Sequence, residues 1–129
     1  MNVLVIEDEP ILLELMKVVL SEAGHKVFMA EKILPAFEIL RHGNIDLILM
    51  DIGLPGLDGI SFTRKLKKYP EFQAIPVIAV TGTPKEFLEE DALQAGCNAY
   101  LQKPFKTNEL LRLISSIGPR RAKREKREQ

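Results

Sequence analysis

Glu7-Asp8, Asp51, Thr81 and Lys103 each stand within two residues of the end of a short apolar run, and together they offer three acids, a hydroxyl and an ammonium. Val3-Leu4-Val5-Ile6 leads into Glu7-Asp8, Leu47-Ile48-Leu49-Met50 into Asp51, and Val77-Ile78-Ala79-Val80 into Thr81-Gly82. Ala99-Tyr100-Leu101 is followed by Gln102 and then Lys103-Pro104-Phe105. Acids gathered in one cleft repel, since two unit charges about 4 Å apart cost on the order of 4 kcal/mol at an effective dielectric near 20. A cation relieves that repulsion. Magnesium suits it, as a hard ion that keeps waters and takes one or two carboxylates together with phosphate oxygens. A phosphoryl group on Asp51 would find Lys103 as a point charge, Thr81 as a hydroxyl and Gly82 as an unobstructed backbone N–H.

Such a cleft exists only if the four runs lie side by side. Short apolar runs bounded by polar or turn residues read as strands buried on both faces, the parallel-sheet pattern. Between them lie helical spacings. Leu12, Leu15, Met16, Val19 and Leu20 recur after Pro10, an early helical position that tolerates proline, and Gly24 stops that run. Lys26 to Ala30 is a second strand, and a helix through Ala36, Phe37, Ile39 and Leu40 ends at His42-Gly43. A turn-rich loop spans Gly53 to Gly59, and a third helix carrying Ile60, Phe62 and Leu66 ends at Tyr69-Pro70. A fourth helix runs from about Pro84 to Gly96, and a fifth through Leu110, Leu111, Leu113, Ile114 and Ile117 stops at Gly118-Pro119. Alternating strands and helices imply right-handed crossovers and a mainly parallel sheet. In such sheets functional groups collect outside the carboxyl ends of the strands, where strand order reverses.

The bulk properties bound the reading. A chain of 129 residues with 46% hydrophobic side chains suits one domain with one real core. No apolar run approaches the length of a membrane span, and Met1 leads straight into a strand without a basic-then-apolar leader. One cysteine, Cys97, cannot form an internal disulfide, which fits a cytoplasmic setting. The formal net charge of zero hides an asymmetry: residues 120–129 carry six basic and two acidic side chains, so the rest of the chain sums to −4. Residues 1–118 therefore read as the domain. Residues 119–129 read as a basic, disordered and solvated tail, with docking to an anionic partner as the sharper alternative.

Over residues 2 to about 117 the chain resembles the receiver domain of two-component response regulators. The fragments that carry the likeness are Glu7-Asp8, Met50 to Gly59, Val80-Thr81-Gly82 and Tyr100 to Phe105, and their joint order and spacing make it specific. The resemblance implies a flavodoxin-like, doubly wound α/β fold: a five-stranded parallel sheet of order 2-1-3-4-5 flanked by five helices. It implies that Asp51 accepts a phosphoryl group from a histidine kinase or phosphotransfer protein. Glu7, Asp8, Asp51 and the carbonyl of Gly53 are the implied Mg²⁺ ligands, with Glu7 acting through water because Asp is commoner at its position. Thr81 and Lys103 are the implied hydroxyl and lysine of the reaction, and Thr81 with Tyr100 the implied switch. A cis Lys103-Pro104 bond belongs to the same expectation. So does signalling to a protein target through the face of the fourth helix, fifth strand and fifth helix, with no DNA-binding domain. A stand-alone phosphorelay protein rather than a turnover enzyme is the reading that results.

Other classes fit the residues less well. A haloacid-dehalogenase-like phosphatase needs a second acid two residues after its nucleophile, and that position is Gly53. A nucleotide-binding enzyme needs Gly-x-Gly-x-x-Gly or a P-loop, and neither occurs. A flavodoxin would cradle phosphate after the first strand, where Glu7-Asp8-Glu9 repels it. A degenerate receiver used only for docking would not need the full set of acids with Thr81 and Lys103. Cys97, His25 and His42 read as structural or surface residues.

Overall fold

The computed structural model describes residues 1–53 and 59–128, with side-chain surroundings through residue 117. The middle of the loop expected between Gly53 and Gly59 and the side chains of the basic segment lie outside the described residues. Five strands alternate with five helices: β1 (Asn2–Ile6), α1 (Pro10–Glu22), β2 (Lys26–Ala30), α2 (Ile33–His42), β3 (Leu47–Asp51), α3 (Gly59–Leu66), β4 (Val77–Thr81), α4 (Lys85–Ala95), β5 (Ala99–Gln102) and α5 (Thr107–Glu128). The strands pair in parallel in the order β2-β1-β3-β4-β5, the doubly wound topology expected.

Strand alternation sends successive side chains to opposite faces, and both faces are covered. Val3, Val5, Leu47, Leu49, Ile78 and Val80 pack with Leu13, Met16 and Leu20 of α1 and Leu110 and Ile114 of α5. Leu4, Ile6, Ile48, Met50, Val77 and Ala79 pack with Ala36 and Leu40 of α2, Phe62 and Leu66 of α3, and Ala92 of α4. Each fully buried Val, Leu or Ile contributes roughly 1.5–3 kcal/mol relative to exposure, so the central strands carry much of the stabilising burial. Register then levels their ends. Ile6 pairs with Met50, Asp51 with Val80, and Thr81 with Gln102, so the residues following β1, β3, β4 and β5 come out along one edge.

Two helix ends differ from the sequence expectation. The third helix ends at Leu66 rather than at Tyr69-Pro70. Lys68 N–H and Tyr69 N–H bond three residues back, to Lys65 and Leu66, which tightens the last turn. Lys67 then folds the following segment home, its Nζ donating to the carbonyls of Ile75 (2.6 Å) and Gln73 (3.3 Å). The fifth helix does not stop at Gly118-Pro119 but continues to Glu128, where a disordered extension was expected. Proline removes one N–H from a helix without obliging it to end, and the Arg, Lys, Ala and Glu residues beyond are good helix formers. The Lys103-Pro104 peptide is cis, as expected.

Candidate functional site

Glu7 follows the last residue of β1 and is buried at 2% exposure, whereas its neighbour Asp8 is exposed. The alternation along the chain thus gives the two acids different tasks. Glu7 Oε1 accepts from Lys103 Nζ at 2.6 Å, and Glu7 Oε2 accepts the N–H groups of Asp8 (3.0 Å) and Glu9 (3.3 Å). Burial pushes the Glu7 carboxyl above the ordinary range, against the opposing pull of Lys103.

Lys103 also donates to Asp51 Oδ2 at 3.0 Å, so one ammonium bridges the ends of β1 and β3 from the far side of β4. Burial alone would lower its pKa, but the bonds to Glu7 and Asp51 and their charges outweigh that and hold it above the usual lysine value. The other oxygen of Asp51, Oδ1, accepts the Gly53 N–H at 2.8 Å. A Cβ added to Gly53 would lie 3.4 Å from Thr81 Oγ1 and 3.5 Å from Asp51 Oδ1, so the hydroxyl and the carboxylate flank one small space. Thr81 is buried at the end of β4, and its Oγ1 accepts the Thr83 N–H at 3.3 Å. Nothing lies within 4 Å of where a side chain on Gly82 would begin.

The donor set fits a hard divalent cation. One carboxylate oxygen from each of Glu7, Asp8 and Asp51 lies within 4.8 Å of the others, and all donors are oxygens. Both oxygens of Glu7 and both of Asp51 already accept hydrogen bonds, so the exposed Asp8 is the acid of the three most able to turn to an ion. Tyr100 lies within the fold at 5% exposure, its hydroxyl donating to the Thr83 carbonyl at 2.6 Å. Tyr100 is thus turned inward, against the connection that follows Thr81. Sequence reasoning missed two participants. Gln102 accepts the Lys85 N–H at 3.2 Å, and Thr83 is held from both sides. The signal for Gln102 was available: a polar residue inside the last strand, next to the lysine.

The family model described as response regulator receiver domain matches residues 3–115. The polar-differentiation response regulator DivK of Brucella ovis is 35% identical over 115 residues, covering 89% of this chain and 94% of that protein. The receiver domain of a sensor histidine kinase from Pseudomonas aeruginosa PAO1, a crystal structure with magnesium coordinated in its active-site cleft, has 34% identity and a TM-score of 0.81. That likeness covers 90% of this chain and 95% of that one. A CheY-like receiver domain protein from Methanospirillum hungatei JF-1 superposes with a TM-score of 0.86 at 26% identity, covering 95% and 97%.

Proposed function

The chain belongs to the response regulator receiver domain family of two-component systems, and from that premise we propose that Asp51 accepts a phosphoryl group from the phosphohistidine of a histidine kinase or phosphotransfer protein. The observation that carries this reading is Lys103 Nζ lying within hydrogen-bond reach of both Glu7 and Asp51, while the Thr81 hydroxyl and the other Asp51 oxygen flank one small space. An Asp51 oxygen attacks phosphorus as the P–N bond breaks, and the imidazole of the donor leaves with that electron pair. Lys103 and the Thr81 hydroxyl are placed to meet charge on the transferred oxygens. Glu7 keeps Lys103 aimed at Asp51 through a 2.6 Å bond. Asp8, Asp51 and the Gly53 carbonyl would hold Mg²⁺, with Glu7 acting through water; the ion supplies further charge neutralisation on the phosphoryl oxygens.

Receiver domains signal rather than turn over substrate, so partners complete the function. A hollow of about 280 Å³ lined by Ile11, Leu12, Leu15, Pro104 and Phe105 opens beside Lys103, and Ile11 and Leu15 are 79% and 51% exposed. Apolar side chains bared next to the reactive lysine suit the approach of a phosphodonor. A downstream target would meet the face of α4, β5 and α5, and α4 bears the exposed Phe87. Thr81 and Tyr100, meeting at Thr83, are the pair through which phosphorylation would reach that face. Residues 1–118 form the receiver unit of this proposal, residues 119–129 its cationic extension, and the cytoplasm its setting. No helix among the described residues is long and apolar enough to cross a membrane. Acetyl phosphate with Mg²⁺ should add one base-labile phosphoryl group, read by intact-protein mass spectrometry. Equal labelling of Asp51→Asn would refute the assignment.

A further inference from the structure

Two side chains of β5 grip the connection between Thr81 and α4. Tyr100 donates its hydroxyl to the Thr83 carbonyl at 2.6 Å, and Gln102 Oε1 accepts the Lys85 N–H at 3.2 Å. Residues two apart on a strand share a face, so both reach the same connection. On its other side Thr81 Oγ1 accepts the Thr83 N–H at 3.3 Å. Three bonds therefore fix the short path from the site to α4.

The bond from Gln102 matters because of what α4 lacks. The first N–H groups of a helix have no partner within it and call for a cap. Here the N-cap residue is Pro84, which makes no side-chain cap bond. Gln102, brought in from β5, supplies the acceptor that the local sequence omits. It sits between Leu101 of the core and Lys103 of the site, and it pairs across the sheet with Thr81.

We propose that Gln102 is a positioning residue that ties the start of α4 to the Thr81 side of the site and holds the chain in its unphosphorylated arrangement. The inference rests on the phosphoacceptor reading of Asp51. When the Thr81 hydroxyl turns toward a phosphoryl group on Asp51, the Thr83 N–H loses its present acceptor, and the connection through Pro84 moves. Lys85 moves with it, away from Gln102. A bond made in one state and weakened in the other biases the equilibrium toward the first, and linkage requires that its removal favour the second.

The test uses the full chain and fluoroberyllate, a phosphoryl mimic, with Mg²⁺. Gln102→Met keeps length and removes the acceptor. It should tighten fluoroberyllate binding roughly two- to tenfold, the range set by one hydrogen bond, and accelerate amide exchange at Lys85 in the free protein. Gln102→Glu keeps an acceptor and should restore protection at Lys85. Unchanged or weaker fluoroberyllate binding by Gln102→Met overturns the coupling even where Lys85 exchange accelerates, since Gln102 would then cap the helix and nothing more. Unchanged exchange at Lys85 overturns the tie itself. If wild type fails to bind the mimic, or Asp51→Asn binds it equally, the phosphoacceptor reading falls and takes the inference with it.

Discussion

Replacing Lys103 with methionine isolates the charge that Glu7 and Asp51 share. At separations of 2.6 and 3.0 Å, with an effective dielectric near 20, each carboxylate attracts the ammonium by about 6 kcal/mol. Most of that gross attraction is offset by desolvating three groups and by repulsion between the two acids. Breaking a buried pair costs a net 3–5 kcal/mol or so, because a charge is left unpaired. The lower end applies here, since the Lys103 side chain keeps 21% of its exposure. About 3 kcal/mol lowers the unfolding midpoint of a chain this size by on the order of 10 °C. The loss should also depend on pH. Without Lys103, burial raises the Glu7 pKa still further above its ordinary 4.5. A raised folded-state pKa gives stability that is complete below the unfolded value and lost as pH rises through the folded one. The deficit of Lys103→Met should therefore be small near pH 4.5, grow as pH rises through the raised Glu7 pKa, and level off above it. Lys103 itself is raised above 10.5, so the wild-type advantage should fade only above that pH. Unfolding followed by circular dichroism in EDTA, from acid to alkaline pH, measures this directly. Midpoints that coincide at neutral pH, or a deficit that does not vary with pH, would refute the reasoning.

Titration with Mg²⁺ by calorimetry should find Asp8→Asn much weaker than wild type and Glu7→Gln less affected, because only Asp8 has carboxylate oxygens free to turn to the ion; the reverse order would exchange their roles. Gly59→Ala places a Cβ 2.7 Å from the Ile52 backbone, so urea unfolding should show a loss of about 1–3 kcal/mol, and an unchanged midpoint would count against that close approach. Gly53→Ala puts a methyl 3.4 Å from Thr81 Oγ1 and 3.5 Å from Asp51 Oδ1, where it should hinder water and prolong the phosphorylated state, measured as decay of the labelled mass; faster decay would exclude that path.

The strands were the most legible part of the chain. Leu47 to Met50 is apolar at every position because β3 is covered on both faces, and the acid that follows has to come out at the sheet edge. The likeness of Tyr100 to Phe105 to a known motif gave the cis proline in the same way. The end of α3 was less legible because its limit is set by Lys67 reaching carbonyls six and eight residues on, a tertiary contact that no local periodicity encodes. The end of α5 was misread from a Gly-Pro pair that elsewhere breaks helices. Within the site, the residues were visible but their division of labour was not. Glu7 and Lys103 are 96 positions apart, and only their meeting reveals that Glu7 serves the lysine before it serves any ion.

The two-sided covering of the sheet has a consequence for how this protein could diversify. Glu7, Asp51, Thr81 and Lys103 hang from strand ends anchored by interior side chains, while Ile11, Leu15 and Phe87 point outward from helices held by their other faces. The residues of the site and the outward helical residues are thus carried by different elements, even where Ile11 and Leu15 border Lys103. Duplicated copies could exchange outward helical residues, and so acquire new correspondents, without touching the reactive edge. The converse change is harder, because altering the edge disturbs the interior from which it is suspended. A lineage built on this plan would find new conversations easy to start and new reactions difficult to learn.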